Sequence, residues 1–273
     1  MSAQFDGKTV LVTGAASGIG RETAFAFAER GARLVLVDVD AAGLARTALL
    51  CQKLGVEADA HVADVSSADA MKELADRVHR KVAALDVLVN NAGVGVAGSF
   101  VGTDLATWKW ALGINVMGVV HGCHFFLPKM IERGTGGSVV NVASAAGLAA
   151  PKRMSVYAAT KFAVVGLSEV LRAELRPHGI SVATICPGII NTPITRTTRL
   201  SGDLSGDATF NQRAAAVYRK RNYGPERVAV AIVDAVEKRR GLTPVAPEAW
   251  AMYYGKRFVP RLMDALMARD APV

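Results

Sequence analysis

Eight residues constrain this chain more than any other stretch: Thr13-Gly14-Ala15-Ala16-Ser17-Gly18-Ile19-Gly20. They follow the short β-branched run Lys8–Thr13 and lead into a helix-forming segment, Gly18–Arg30, which Gly31 stops. A strand that turns on glycines directly into a helix gathers backbone N–H groups and the positive end of the helix at one point. Such a point favours a pyrophosphate. The spacing is GxxxGxG, not GxGxxG, so on this motif alone a purely structural glycine turn stays open. Asp38 closes the next strand, Arg33–Asp38. An acid there can accept hydrogen bonds from both hydroxyls of an adenosine ribose and repels a 2′-phosphate. No Lys or Arg lies inside the turn or directly after Asp38 to offset that repulsion. The chemistry favours NAD over NADP.

The same strand–helix rhythm continues along the chain. Helices are expected over Ala41–Leu54, Ser67–Val82, much of Asp104–Arg133 (interrupted near Gly118 or Pro128), Ser155–His178 and Pro225–Arg240. Strands are expected at Glu57–Val62, Asp86–Asn90, Ser138–Val142, Ile180–Cys186 and near Thr243–Ala246. A final helix is expected around Pro247–Met267, and Thr195–Phe210 carries mixed turn signals that mark it as the mobile segment. Strands alternating with helices indicate a parallel α/β sheet covered on both faces. With no linker, repeat or low-complexity stretch, residues 1–273 read as one domain.

Tyr157 and Lys161 form Tyr-x-x-x-Lys inside one expected helix, a spacing that places both side chains on one face. A free tyrosine titrates near pH 10, too high for an efficient base at neutral pH. A neighbouring ammonium favours the phenolate and lowers that value. Ser144 follows the Ser138–Val142 strand, at the sheet edge where ligands bind in open α/β folds, and its hydroxyl can hold the same substrate oxygen. Tyr-x-x-x-Lys alone is common by chance; its conjunction with Ser144 and the glycine turn gives it meaning.

Taken in order, Thr13–Gly20, Asp38, Asp64-Val65, Asn90-Asn91-Ala92-Gly93, Asn115, Ser144, Tyr157, Lys161 and Pro187-Gly188 through Thr192 resemble the short-chain dehydrogenase/reductase superfamily. The resemblance runs from Lys8 to about Thr192. It implies a doubly wound Rossmann sheet in strand order 3-2-1-4-5-6-7, with residues 188–273 supplying substrate loops and a C-terminal extension. It also implies a catalytic set of Asn115, Ser144, Tyr157 and Lys161, in which Asn115 holds a water linking Lys161 to solvent. The implied NAD site comprises Gly14, Ser17, Gly18, Ile19, Gly20 and Asp38. Asp64 and Val65 belong at the adenine, and Asn91, Ala92 and Gly93 beside the cofactor. Tyr157 and Lys161 belong at the nicotinamide ribose, and Pro187, Gly188, Ile190 and Thr192 around the carboxamide. Members of the family commonly pair the helices before and after the fifth strand across subunits. Phe162, Val165, Leu167, Val170, Leu171 and Leu175 give the second of these more apolar surface than one face needs. A homodimer or homotetramer is expected.

Hydrophobic residues make up 51% of the 273, enough to exclude a disordered chain. Three scattered cysteines, Cys51, Cys123 and Cys186, form neither a disulfide framework nor a metal pair, consistent with a reducing cytoplasm. MSAQFDGKTV lacks the pattern of a signal peptide, and no run of about 18 uncharged apolar residues that could cross a bilayer is evident. His121 and His124 lack a third ligand and read as packing residues, so no metal is expected. Cys186 reads as a buried thiol, and Arg172, Glu174 and Arg176 as a helix surface.

Most of the net charge of +8 falls after residue 195, a solvated basic face or a site for an anionic substrate, an acidic partner or a membrane surface. No nucleic-acid module is present. The substrate loops, Val94–Phe100, Ala145–Met154 and Gly188–Phe210, begin with apolar residues such as Val94, Val96, Ala145, Ala146, Leu148, Met154, Ile189 and Ile190. They point to a lipophilic secondary alcohol or ketone. An NADP-dependent carbonyl reductase is the alternative, disfavoured by Asp38. A non-catalytic nucleotide-binding regulator is another, disfavoured by the intact Asn115/Ser144/Tyr157/Lys161 set. The tail from Pro247 to Arg261 mixes aromatic, apolar and basic residues, as an amphipathic helix over the pocket or at a subunit contact would, ahead of a membrane anchor.

Overall fold

Runs such as TVLVT, RLVLVD and VLVN have no polar interruption, so a strand built from them is buried on both faces. The computed structural model describes residues 4–269. The N-terminal reading and both ends of the 1–273 domain extend into residues 1–3 and 270–273, outside the described residues. The elements run β1 (Thr9–Thr13), α1 (Gly18–Ala28), β2 (Arg33–Asp38), α2 (Ala41–Lys53), β3 (Ala58–Val62), α3 (Ala68–His79) and β4 (Val87–Asn90). After a two-residue strand β5 (Val96–Ala97) come α4 (Leu105–Leu112), a π-helical turn (Gly113–Met117) and α5 (Gly118–Arg133). Next are β6 (Gly137–Val142), α6 (Ser155–Leu175), β7 (Ile180–Pro187), α7 (Ile194–Thr197) and β8 (Arg199–Leu200). The chain continues through α8 (Phe210–Arg221), α9 (Pro225–Glu237), β9 (Leu242–Val245), α10 (Pro247–Phe258) and α11 (Pro260–Met267).

Seven strands pair in parallel in the order β3-β2-β1-β4-β6-β7-β9, and β5 and β8 form a separate small pair. With that minor pair set aside, this is the anticipated 3-2-1-4-5-6-7 order. Successive side chains in β1 point to opposite faces. Val10 and Val12 pack with α1, α2 and α9, while Leu11 packs with α3, α5 and α6. A buried polar link crosses the second face. Asn90 Nδ2 donates to Asn141 Oδ1 at 2.9 Å, and Asn141 Nδ2 to Ser168 Oγ at 2.9 Å, tying β4, β6 and α6 together.

Several boundaries differ from the sequence reading. The long helix is interrupted near Gly118, by the π turn Gly113–Met117 that ends just before it, and not at Pro128, which sits inside α5. The C-terminal helix divides at Pro260, whose ring excludes the helical conformation at Val259 (φ −134°). Phe210–Arg221, unassigned from sequence, is a helix. Arg172 is no surface residue, since its guanidinium donates to Val182 O and Thr184 Oγ1 at 2.9 and 3.1 Å. The helical run Leu105–Arg133 contains a window long and apolar enough to cross a membrane by length and composition. Half of that window is buried inside the fold, where α5 packs on β4 and α3.

Candidate active site

Between β1 and β4 the strand order reverses, opening a crevice at the carboxyl ends of the strands. The glycine turn lies on one side of it. Gly14 adopts φ +69°, and a Cβ there would come within 2.7 Å of Asn91 Nδ2. A Cβ on Gly20 would overlap the Gly14 carbonyl, so this glycine lets α1 press against the turn. Ser17 caps α1 without a side-chain hydrogen bond, and the first turn carries no acid. The leading N–H groups of α1 are therefore free of the side-chain acceptors that helices usually place there. They can receive an anion.

The turn is anchored from both neighbouring strands. Asp38 Oδ2 accepts the Ala16 N–H at 2.9 Å. From β4, Asn91 Nδ2 donates to Thr13 O at 2.8 Å, while Thr13 Oγ1 accepts from the N–H groups of Asn91 and Ala92 at 2.9 and 3.0 Å. Asp64 Oδ1 accepts from Ser66 N and Oγ, both at 2.8 Å, so its carboxylate is held at the end of β3.

A cavity of about 1170 Å³ runs across this edge. Gly14, Ser17, Gly18, Ile19, Asp38, Asp64, Val65, Asn91, Ala92, Gly93, Ser144, Tyr157, Lys161, Pro187, Gly188, Ile190 and Thr192 all line it. Of the residues expected from sequence, Gly20 and Asn115 lie behind the wall. The volume, the uncapped helix terminus and the carboxylate at the end of β2 together fit a dinucleotide with a small molecule beside it.

Ser144, Tyr157 and Lys161 meet at the inner end. Ser144 Oγ accepts the Ala146 N–H at 3.1 Å and lies beside the Tyr157 phenol. Lys161 Nζ lies 5.7 Å from the centre of the Tyr157 ring and donates to Val142 O at 3.0 Å. Burial pushes the Tyr157 hydroxyl up to about 12, against the lowering effect of Ser144. Burial pushes Lys161 down to about 8. The raised tyrosine is the opposite of the lowering expected from the lysine's charge, because burial outweighs that charge and the ammonium is turned to the Val142 carbonyl. Cys186 is buried nearby and its thiol is raised to about 12 by burial, as an inert packing group's would be.

Asn115 sits in the π turn with its amide fully engaged. Its Oδ1 accepts from Val94 N at 2.8 Å, and its Nδ2 donates to Val94 O and Thr160 Oγ1, both at 3.0 Å. Thr160 Oγ1 donates to Tyr157 O at 2.8 Å. Asn115 therefore ties the substrate loop to the helical turn that carries Tyr157. Gly93 separates it from Lys161: a Cβ there would lie 3.2 Å from Asn115 Oδ1 and 3.4 Å from Lys161 Nζ. His121 is buried, and its Nδ1 hydrogen-bonds Val65 O at 2.8 Å.

Sequence reasoning missed two contributors. Helix α8 closes the outer wall with Phe210, Ala214, Val217 and Tyr218. Glu248, at the start of α10, accepts from Ile189 N at 2.7 Å and from Arg221 Nη2 at 2.8 Å. Burial works to raise its carboxyl, but these hydrogen bonds hold it below its ordinary value. The αL cap at Asn222 and the following Gly224-Pro225 were the local signals that a helix ends there.

Known proteins resemble this chain in sequence and fold. A family model described as short chain dehydrogenase matches residues 8–201. "Probable oxidoreductase EphD" of Mycobacterium tuberculosis is 42% identical over 262 residues, covering 95% of this chain and 44% of that protein. The chain thus spans less than half the length of that curated relative. D-threitol dehydrogenase of Mycolicibacterium smegmatis is 40% identical over 194 residues, 70% of this chain and 73% of that one. A short chain dehydrogenase/reductase of Burkholderia phymatum, crystallised in complex with NAD, superposes with a TM-score of 0.84 at 33% identity. The match covers 95% of this chain and 96% of that one.

Proposed function

Because the chain belongs to the short chain dehydrogenase family, we propose that it is an NAD-dependent oxidoreductase interconverting secondary alcohols and ketones, preferentially lipophilic ones. The observation that carries this reading is the meeting of Ser144, Tyr157 and Lys161 in the cavity that also receives Asp38 and the glycine turn. The NAD named for the Burkholderia phymatum structure supports the same cofactor here.

In this reading the start of α1 faces the pyrophosphate and Asp38 takes the adenosine ribose hydroxyls. Asp64 and Val65 border the adenine. Asn91, Ala92 and Gly93 form the floor, Lys161 binds the second ribose, and Pro187, Gly188, Ile190 and Thr192 surround the nicotinamide end. When bound, the dinucleotide accepts hydride from the alcohol carbon or returns it to the ketone carbon. Ser144 holds the substrate oxygen. The Tyr157 phenol, kept protonated by burial, gives its proton to that oxygen as ketone becomes alcohol. In the opposite direction its anion takes the hydroxyl proton, and a Lys161 ammonium turned from Val142 O toward the phenol oxygen would favour that anion. Asn115 is a positioning residue for Tyr157. Val96, Met154, Leu204 and Phe210 in the cavity wall support an apolar substrate.

The test is a turnover screen with NAD and NADP across secondary alcohols graded from sugar alcohols to alkyl chains. Faster turnover with NAD, rising with apolar chain length, is the expected result. Equal rates with the two cofactors, or turnover confined to polyols, would overturn the reading.

A further inference from the structure

Helices α10 and α11 leave an apolar face uncovered. Trp250, Tyr254 and Phe258 recur every four residues, and their rings stack in a row with centroids 5.6 and 6.2 Å apart. Such spacing puts all three on one face. Phe258 keeps 70% of its surface exposed and Leu262, on α11, 59%. The fold does not need this row for its core, because Ala249, Met252 and Tyr253 supply the inward contacts of α10.

The unpaired charges around the row are of one sign. Arg257 follows Tyr254 by three residues and Trp250 by seven, so it shares their face. Arg257, Arg261 and Arg269 are exposed and make no ion pair among the described residues. The acids of the two helices are otherwise engaged. Asp264 pairs with Lys256 and fastens α11 to α10, and Glu248 turns inward to Ile189 and Arg221.

From this we propose that the α10–α11 pair is a docking surface for an anionic lipid bilayer, lying in its headgroup layer with the aromatic row inserted. Exposed aromatic rings flanked by arginines match the requirements of interfacial helices. At 12 and 8 residues, neither helix could span. A second copy fits less well, because a symmetric contact of this face would gather Arg257, Arg261 and Arg269 of both copies into one seam with no unpaired acid of α10 or α11 to answer them. The exposure of the stacked rings thus reverses the order in which the tail sequence ranked a subunit contact and a membrane. Met252, Leu266, Met267 and Arg269 also line the cavity, so a docked molecule would hold the cavity's edge at the lipid surface. The docking proposal stands independently of the proposed substrate.

The test is co-sedimentation of the full chain at low salt with vesicles of phosphatidylcholine alone and of phosphatidylcholine mixed with phosphatidylglycerol. Binding to the anionic vesicles should be at least about tenfold stronger, and added salt should weaken it. Trp250 emission should shift to the blue on binding, read in a Trp108→Phe/Trp110→Phe background. Tyr254→Ser/Phe258→Ser and Arg257→Glu/Arg261→Glu, each checked for native circular dichroism, should each lose about tenfold in binding. The proposal fails if the wild type stays in the supernatant, or if neither pair of substitutions changes its pelleting. It fails equally if sedimentation velocity without vesicles shows both pairs dissociating an oligomer, because the face would then be a contact between copies.

Discussion

The backbone N–H of Ala16 donates to Oδ2 of Asp38 at 2.9 Å, so the side chain we propose to select the dinucleotide also braces the glycine turn. Its Oδ1 accepts the Asp40 N–H at 3.0 Å. A carboxylate has about four lone-pair sites, which leaves acceptor capacity for ribose hydroxyls.

Replacing Asp38 by Asn should separate the two duties. The amide can still accept from Ala16 but no longer repels a 2′-phosphate, so NADP affinity should rise with the turn intact. Asp38→Ala should also weaken NAD binding, by about tenfold or more for lost hydrogen bonds to a charged acceptor. Calorimetric titration of both variants with both cofactors reads this directly. An unchanged NAD-to-NADP ratio in Asp38→Asn would remove Asp38 from cofactor choice.

Lys161 should leave a signature in stability. Burial lowers it to about 8 from an ordinary 10.5. Between those values the unfolded chain binds a proton that the native chain does not. The native state therefore gains stability as pH rises through the window, and below it carries a constant penalty for a buried charge. Compared with Lys161→Met, the wild type should gain about 2 kcal/mol between pH of about 7 and about 9.5. Urea unfolding at the two pH values measures the difference; a pH-independent gap would mean that Lys161 is well solvated or paired in solution.

Helix α6 should pair with its copy in another subunit. Phe162 and Val170 remain exposed on its outer side, beside Ala163, Gly166 and Ala173, and nothing from the C-terminal helices covers them. Small residues beside apolar ones allow two helices to approach closely. Sedimentation at micromolar concentration should give a species at twice or four times 28.7 kDa, and Phe162→Glu/Val170→Glu should shift it downward. A wild-type species at the monomer mass would mean that this face is solvated.

What could be read from the chain alone was what is local. The turn from β1 into α1 is announced within eight residues, and the uninterrupted apolar strands announce a doubly covered sheet. The π turn at Gly113–Met117 was legible only as a break near Gly118, because an apolar helical pattern runs through it; its form is set where Asn115 bonds Val94, in a loop 21 residues away. Helix α8 was missed although it carries Phe210, Ala214, Val217 and Tyr218 at helical spacing, because the stripe is thin and faces the cavity, and only Ala214 and Ala215 of the helix are buried. Glu248 and Ile189 are 59 residues apart, and no spacing rule joins them. The break before Pro260, by contrast, was written in the sequence and is the ordinary consequence of proline's ring.

The central claim is that Tyr157 moves the substrate proton while the dinucleotide site stands on other residues. Its most direct measurement is steady-state NADH formation from a secondary alcohol by wild type and Tyr157→Phe, with NADH affinity titrated on the same preparations. Loss of the phenol should lower kcat by about 100-fold to 10,000-fold, the range for a positioned acid or base, while the NADH Kd stays within about threefold, less than one tenfold step of binding energy. Substantial turnover in the Phe variant, or a loss of NADH binding as large as the loss of rate, would contradict the account.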